Sequence, residues 1–135
     1  MISIKKITAA QTYHLRHTVM WPNHPIEFIK LDEDDKGVHF GLFKNDVLVC
    51  IASLFIKDKT AQFRKLATKV SEQGKGYATQ ILNHIILYCS QLKIEKLWCN
   101  ARANKTSFYK KFGLEETSKT YIKGGINFIV LEKKF

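Results

Sequence analysis

Two glycines flank a lysine in Gln73-Gly74-Lys75-Gly76-Tyr77-Ala78, directly ahead of a stretch whose apolar residues recur at helical spacing. Glycine lets a backbone come close to a ligand, and the first turn of a helix leaves amide N–H groups without intrahelical acceptors. The helix dipole favours negative charge at that same end. A bound diphosphate would satisfy all three conditions. The same residues also suit a plain strand-to-helix turn, so the elements around them must decide.

Those elements can be read from hydrophobic periodicity. Ile2 to Ile7 alternates as a short strand, and Thr8 is placed to cap a helix carrying Tyr13, Leu15 and Val19, which Trp21-Pro22 interrupts. Residues 23–36 mix Pro25, apolar residues and the acidic run Asp32-Glu33-Asp34-Asp35, which suits a short helix or ordered loop with a wet tip. Val38, Phe40 and Leu42 alternate, Asn45-Asp46 supplies a tight turn, and Val47 to Ile56 is an apolar run, so a β-hairpin is expected. A third strand over Ala61 to Val70 completes a meander and leads into the glycine turn. Ala78, Ile81, Leu82, Ile85, Ile86, Cys89 and Leu92 mark one face of a long amphipathic helix. A strand over Ile94 to Ala101, a short helix over Thr106 to Phe112 closed by Gly113, and two strands around Gly124-Gly125 finish the chain.

A chain of 135 residues fits one domain spanning 1–135. At that length folding hides roughly two-thirds of the unfolded surface, enough for a core without staples. With 45% hydrophobic and 25% charged residues the composition is that of an ordinary globular protein, with no repeat or low-complexity run. The longest apolar run is too short to cross a bilayer as a helix, and the N-terminus lacks a signal-peptide layout, so a cytoplasmic protein is expected. Cys50, Cys89 and Cys99 are odd in number, far apart and set in apolar stretches. They read as buried reduced thiols, with neither a disulfide framework nor a metal-ligand spacing. The net charge of +10, from 22 basic and 12 acidic side chains, predicts affinity for anions. The lysines are scattered and no nucleic-acid motif accompanies them, so an anionic cofactor and a solvated lysine-rich surface are the preferred explanation.

Two segments taken together resemble the GNAT superfamily of acyl-CoA-dependent N-acyltransferases. The first is Leu66-Ala67-Thr68-Lys69-Val70-Ser71-Glu72-Gln73-Gly74-Lys75-Gly76-Tyr77-Ala78, in which Gln73, Gly76 and Ala78 fill the defined places of that family's cofactor segment. The second is Asn104-Lys105-Thr106-Ser107-Phe108-Tyr109-Lys110-Lys111-Phe112-Gly113-Leu114, similar to the family's later asparagine, aromatic-tyrosine and glycine pattern. The order of elements agrees over nearly the whole chain. The resemblance implies an α+β fold in which helices flank a central, mostly antiparallel sheet with one splayed parallel strand pair. It also implies transfer of the acetyl group of acetyl-CoA to a primary amine on a small molecule or peptide.

The same resemblance assigns roles to residues. Backbone N–H groups from Gln73 through Ala78, including Gly74, Lys75, Gly76 and Tyr77, would cradle the pyrophosphate. Lys75 would add direct charge or remain a solvated lysine. Leu66, Ala67, Thr68 and Val70 would hold the pantetheine arm like an added strand, with the Ala67 N–H facing the thioester oxygen. Tyr109 would act as general acid toward the departing thiolate, or pack beside Phe108 and Phe112. Asn104 would contact the pantetheine amides or cap the short helix. Ser107 and Lys111 would touch the CoA phosphates or adenosine, or face solvent.

No position identifies the base that would deprotonate the acceptor. His39, Glu27 and the Asp32 to Asp35 run are candidates, and Arg16, His17, Trp21 and Arg64 are candidate cleft residues. The alternative reading is a non-catalytic acyl-CoA-binding or regulatory module. Final strands in this family often pair between subunits, which makes a homodimer possible.

Overall fold

The computed structural model describes residues 1–135. Its regular elements are β1 (Ile2–Ile7), α1 (Ala9–Leu15), β2 (Val38–Lys44), β3 (Val47–Lys57), β4 (Thr60–Thr68), α2 (Tyr77–Gln91), β5 (Lys96–Arg102), α3 (Ser107–Lys110), β6 (Glu115–Lys123) and β7 (Ile126–Lys134). The strands form one sheet in the order β1-β2-β3-β4-β5-β7-β6. Only β4 and β5 run parallel. The mixed α/β architecture expected from the sequence is therefore present. No helix is long and apolar enough to cross a membrane.

Local signals account for most boundaries. Thr8 caps α1 reciprocally: its hydroxyl accepts from the Gln11 N–H at 3.2 Å, and its own N–H donates to Gln11 Oε1 at 2.8 Å. Past Leu15 the helix widens into a π-helical turn over Arg16–Met20 and stops at Trp21. The β2–β3 hairpin turns on Asn45 and Asp46, with φ of 50° and 68°, as a two-residue loop matching the strand twist requires. The short helix expected to reach Phe112 is a single turn that ends at Lys110.

One face of the sheet is covered by α2. Tyr77, Ile81, Leu82, Ile85 and Cys89 are buried there against Phe40, Leu42, Ala52, Leu54, Phe63 and Leu97. A smaller cluster of Leu15, Ile51 and Ala67 packs α1 on the other face. Cys50, Cys89 and Cys99 are free and buried, as expected. Burial pushes the Cys89 thiol up to about 11 and the Cys99 thiol to about 12.

Residues 23–36 form the expected ordered loop but depart from expectation at one carboxylate. They form two short 3-10 turns, Ile26–Ile29 and Asp34–Lys36, and one carboxylate of the acidic run is not wet at all. Asp34 is buried and pairs bidentately with the fully buried Arg16, through NH1 at 2.8 Å and NH2 at 2.9 Å. Arg16 also donates to Ser53 Oγ at 3.0 Å and to the Ile29 carbonyl at 3.2 Å. His39 Nε2 lies 2.9 Å from the Asp34 carbonyl, which can only accept, so Nε2 carries the proton. Nδ1 then accepts from Ser53 Oγ at 2.7 Å. Neither His39 nor Arg16 is thus a cleft residue; together they fasten the loop to the π-helical turn and to β2 and β3.

Burial pushes the Asp34 carboxyl up, but hydrogen bonds from Arg16 and the Leu31 N–H and the charge of Arg16 outweigh it, leaving it below the usual range. Removing the charge by Asp34→Asn leaves Arg16 buried without a counterion and should lower unfolding free energy by about 3–5 kcal/mol in urea titrations. A depressed carboxylate stabilises the fold above its unfolded value of 3.8 and loses that contribution as pH falls through the folded value. The gap between wild type and variant should therefore be full above about pH 4 and narrow below it.

Candidate active site

Parallel pairing between β4 and β5 covers only Thr60–Gln62 against Lys96–Trp98. Beyond that the two strands part, and the reason lies in β4. Its register against β3 steps from Ile51↔Ala67 to Ser53↔Arg64, so β4 carries one residue more than its partner. Lys65 takes up the excess in the left-handed region, at φ 59°. Such a bulge bends and twists its strand, which turns the remainder of β4 away from β5.

The wedge opens toward the C-terminal ends of both strands. On the α2 side, its apex is filled by Tyr109, whose ring lies 5.8 Å from that of Phe63 and 5.2 Å from that of Phe108. Phe63 and Cys99 are the first residues past the paired segment on each strand. Burial, reinforced by the neighbouring Cys99, pushes the Tyr109 hydroxyl up to about 12. At ordinary pH it is a protonated donor.

Leu66, Ala67 and Thr68 form one wall of a cavity of about 460 Å³. The turn supplies Glu72, Gln73, Gly74 and Gly76, the first turn of α2 adds Tyr77, Ala78 and Thr79, and Val19 and Phe108 line the rest. Gly74 and Gly76 adopt φ of 79° and 84°, and a Cβ on either would point into open space. Their conformation, not crowding within the protein, therefore requires glycine. Gly76 caps α2 without any side-chain hydrogen bond, and no acidic residue stands in the first helical turn. The N–H groups of residues Gly74 to Thr79 donate to no protein acceptor. A run of unsatisfied amides at a helix mouth is an anion site in geometry and charge.

Eight of the expected cofactor residues meet here: Leu66, Ala67, Thr68, Gln73, Gly74, Gly76, Tyr77 and Ala78. Gln73 contributes its side chain as well, donating from Nε2 to the Thr68 carbonyl at 3.0 Å and tying the turn to the end of β4. Lys75 points to Glu72 Oε2 at 2.8 Å, and Lys44 reaches the same carboxylate at 3.3 Å. Val70 is 69% exposed and lines a neighbouring groove with His14, Leu15 and Val47, outside this cavity. Asn104 does not cap α3; Thr106 holds that position, without a side-chain bond. Ser107 and Lys111 are exposed, and neither lines the cavity.

Of the candidate bases, Asp32 and Asp35 are exposed and pair with no cation, Glu33 reaches Arg64 at 3.8 Å, and the others are occupied elsewhere. His39 and Asp34 belong to the buried network, and Glu27 is an exposed partner of Lys30 at 2.8 Å. Trp21 packs edge-on against His24 and Phe28, and His17 Nε2 lies 2.6 Å from the His24 carbonyl. Glu72, Thr79, Phe108 and Val19 were not foreseen as cavity residues. The Glu72–Lys75 spacing was a usable signal for the first, whereas Val19 arrives only through the packing of α1 onto the sheet.

Residues 8–135 match the family model described as the acetyltransferase (GNAT) domain. The chain is 28% identical to the uncharacterized N-acetyltransferase YitI of Bacillus subtilis (strain 168), over 98% of this chain and 96% of that protein. Among solved structures, a putative N-acetyltransferase from Lactobacillus plantarum superposes with a TM-score of 0.87 at 19% identity, covering 98% of this chain and 97% of that one. A GNAT family acetyltransferase from Elizabethkingia anophelis with acetyl-CoA bound gives 0.79 at 20% identity, covering 99% and 98%. The structural likenesses speak for the fold. With the family match running over nearly its whole length, the chain belongs to the GNAT acetyltransferases.

Proposed function

We propose that this protein transfers the acetyl group of acetyl-CoA directly to a primary amine, within a ternary complex. The observation that carries the reading is the line of unpartnered amides from Gly74 to Thr79 beside a wedge whose wall is Leu66 to Thr68. The amides receive the diphosphate, and the parted edge of β4 offers backbone groups to the pantetheine amides. A backbone N–H in that stretch, that of Ala67 in this reading, stabilises the oxyanion as the amine attacks the thioester carbon. One such donor is worth about 3–4 kcal/mol in comparable sites.

When the carbon–sulfur bond breaks, the thiolate departs next to Tyr109. Full proton transfer from a phenol near 12 to a thiolate of ordinary basicity would be uphill by roughly 5 kcal/mol. Tyr109 therefore serves by donating a hydrogen bond to the sulfur, and solvent completes the protonation. Direct attack also follows from the thiols: Cys99, pushed to about 12 by burial, has no thiolate to offer as an acyl carrier. Lys75 and Lys44, gathered on Glu72, add charge near the anion turn. In this reading Val70, Asn104, Ser107 and Lys111 contact parts of the cofactor that extend beyond the cavity.

The experiment is calorimetry with acetyl-CoA followed by initial-rate kinetics over an amine panel. Saturable binding and intersecting double-reciprocal lines are expected; no heat and no thermal shift at high cofactor concentration would remove the proposal. Gly76→Ala places a Cβ in the diphosphate's space and strains the turn by about 1–2 kcal/mol, so acetyl-CoA affinity should drop at least about tenfold. Tyr109→Phe should lower kcat by about two orders of magnitude while leaving the acetyl-CoA dissociation constant within a factor of about three. An unchanged kcat would mean that Tyr109 only packs.

A further inference from the structure

The bulge in β4 is built around a lysine, although glycine is the residue that takes a left-handed conformation without cost. Lys65 is half-buried and takes part in none of the ion pairs of the chain. Asp34, the carboxylate whose charge acts on it, is committed to Arg16, and Glu33 is paired with Arg64 at 3.8 Å. Asp32 and Asp35 are exposed and pair with no cation. Burial lowers the Lys65 ammonium from its ordinary value, and the charges of Arg64, Arg16 and Lys123 push the same way, with only Asp34 opposing.

These cations share one side of the wedge. Arg64 stands opposite Ser53, whose hydroxyl meets Arg16, so Arg64 lies on the α1 face of the sheet, away from α2. Lys123 ends β6 at the tip of the β6–β7 hairpin. Because Arg102 at the end of β5 pairs with Phe128, that tip extends past β5, and Lys123 stands near enough for its charge to act on Lys65. The wedge thus has a cofactor side, where the anion-binding amides lie, and an opposite side collared by Arg64, Lys65 and Lys123.

We propose that the acceptor is a small amine that also bears an anionic group, a carboxylate or a phosphate, and that Lys65, aided by Arg64 and Lys123, binds that group while the amine enters the wedge. This rests on the acetyltransferase reading above. Burial of the Lys65 side chain costs its ammonium part of its hydration without supplying a counterion, and a ligand anion restores the balance. The same cations repel a polyamine. They also disfavour the protonated form of an entering amine, so they favour the neutral nucleophile in a site where His39, Asp34 and Glu27 are all engaged elsewhere.

The test compares kcat/KM, per free amine, for matched substrates with acetyl-CoA: an α-amino acid and its carboxamide, phosphoethanolamine and ethanolamine, and spermidine. At least one anionic member should exceed its neutral partner about tenfold or more, and which pair shows the larger ratio distinguishes carboxylate from phosphate. The preference should collapse toward unity in Lys65→Met and survive in Lys65→Arg, with acetyl-CoA binding retained in both as the check on folding. In a parallel binding arm, the N-acetylated form of the preferred acid should raise the melting temperature of the CoA-loaded protein, and should fail to do so in Lys65→Met. Turnover with equal rates within each pair, or fastest turnover of spermidine, would overturn the anion site and leave the acetyltransferase reading intact. Absence of turnover with Lys65-dependent stabilisation retained would do the reverse, and absence of both would sink the two together.

Discussion

Parallel strands normally pair along their shared length, and in this protein β4 and β5 do so for three residues and then stop. The interruption originates on the other side of β4, where one extra residue against β3 forces Lys65 into the left-handed region and swings the strand away. The whole site depends on that interruption. The freed stretch Leu66 to Thr68 becomes a cavity wall, Tyr109 finds room over Phe63 and Cys99 at the apex, and the strand end delivers the chain to the glycine turn at the mouth of α2. Closing the wedge by regular pairing would satisfy the same hydrogen bonds within the sheet and remove the site.

The anion site relies on backbone more than on side chains. The amides from Gly74 to Thr79 are fixed by the turn and by α2, and α2 is fixed by its buried face against the sheet. Lysines 44 and 75 stand close by, yet both are drawn to Glu72. That carboxylate faces the same cavity, where it would repel a diphosphate if it were not itself neutralised. Its hydrogen bonds from Lys75 and Lys44 outweigh its partial burial and hold it below the usual carboxylate range, so it stays ionised and keeps the two ammonium groups beside the turn. The side chains set the local field, and the amides set the geometry.

Much of this was legible in the sequence because it is encoded locally. The capping box at Thr8, the Asn45-Asp46 turn, the apolar face of α2 and the positive φ at Gly113 each follow from residues within a few positions of one another. The glycine turn and the wall Leu66 to Thr68 were located for the same reason. The Arg16–Asp34–His39–Ser53 network was not, since its members are contributed by four separate segments and meet only after folding. An acidic run looks wet in sequence, and nothing near Asp34 signals that a buried guanidinium lies 18 residues upstream. The bulge was missed for a related reason: Lys65 carries no turn residue beside it, and its conformation is set by the register with β3, a relation between strands.

The arrangement also bears on how acetyl transfer proceeds on a frame in which His39 and Asp34, two of its acid–base residues, serve as structure. Freeing an ordinary alkylamine of its proton near neutral pH costs about 4–5 kcal/mol. Holding amine and thioester in attacking geometry contributes about 7–11 kcal/mol, and an oriented backbone donor adds several more. These terms exceed the proton cost, so the proposed direct attack is feasible on energetic grounds without a dedicated base within the wedge. In the proposed mechanism Ala67 and its neighbours must keep their orientation. The buried network serves that end: Ser53, which holds Arg16 and His39, stands opposite Arg64 just before the bulge, and Ile51 pairs with Ala67 just after it. Two of the candidate bases, His39 and Asp34, are in this fold part of what holds that stretch of β4 in place.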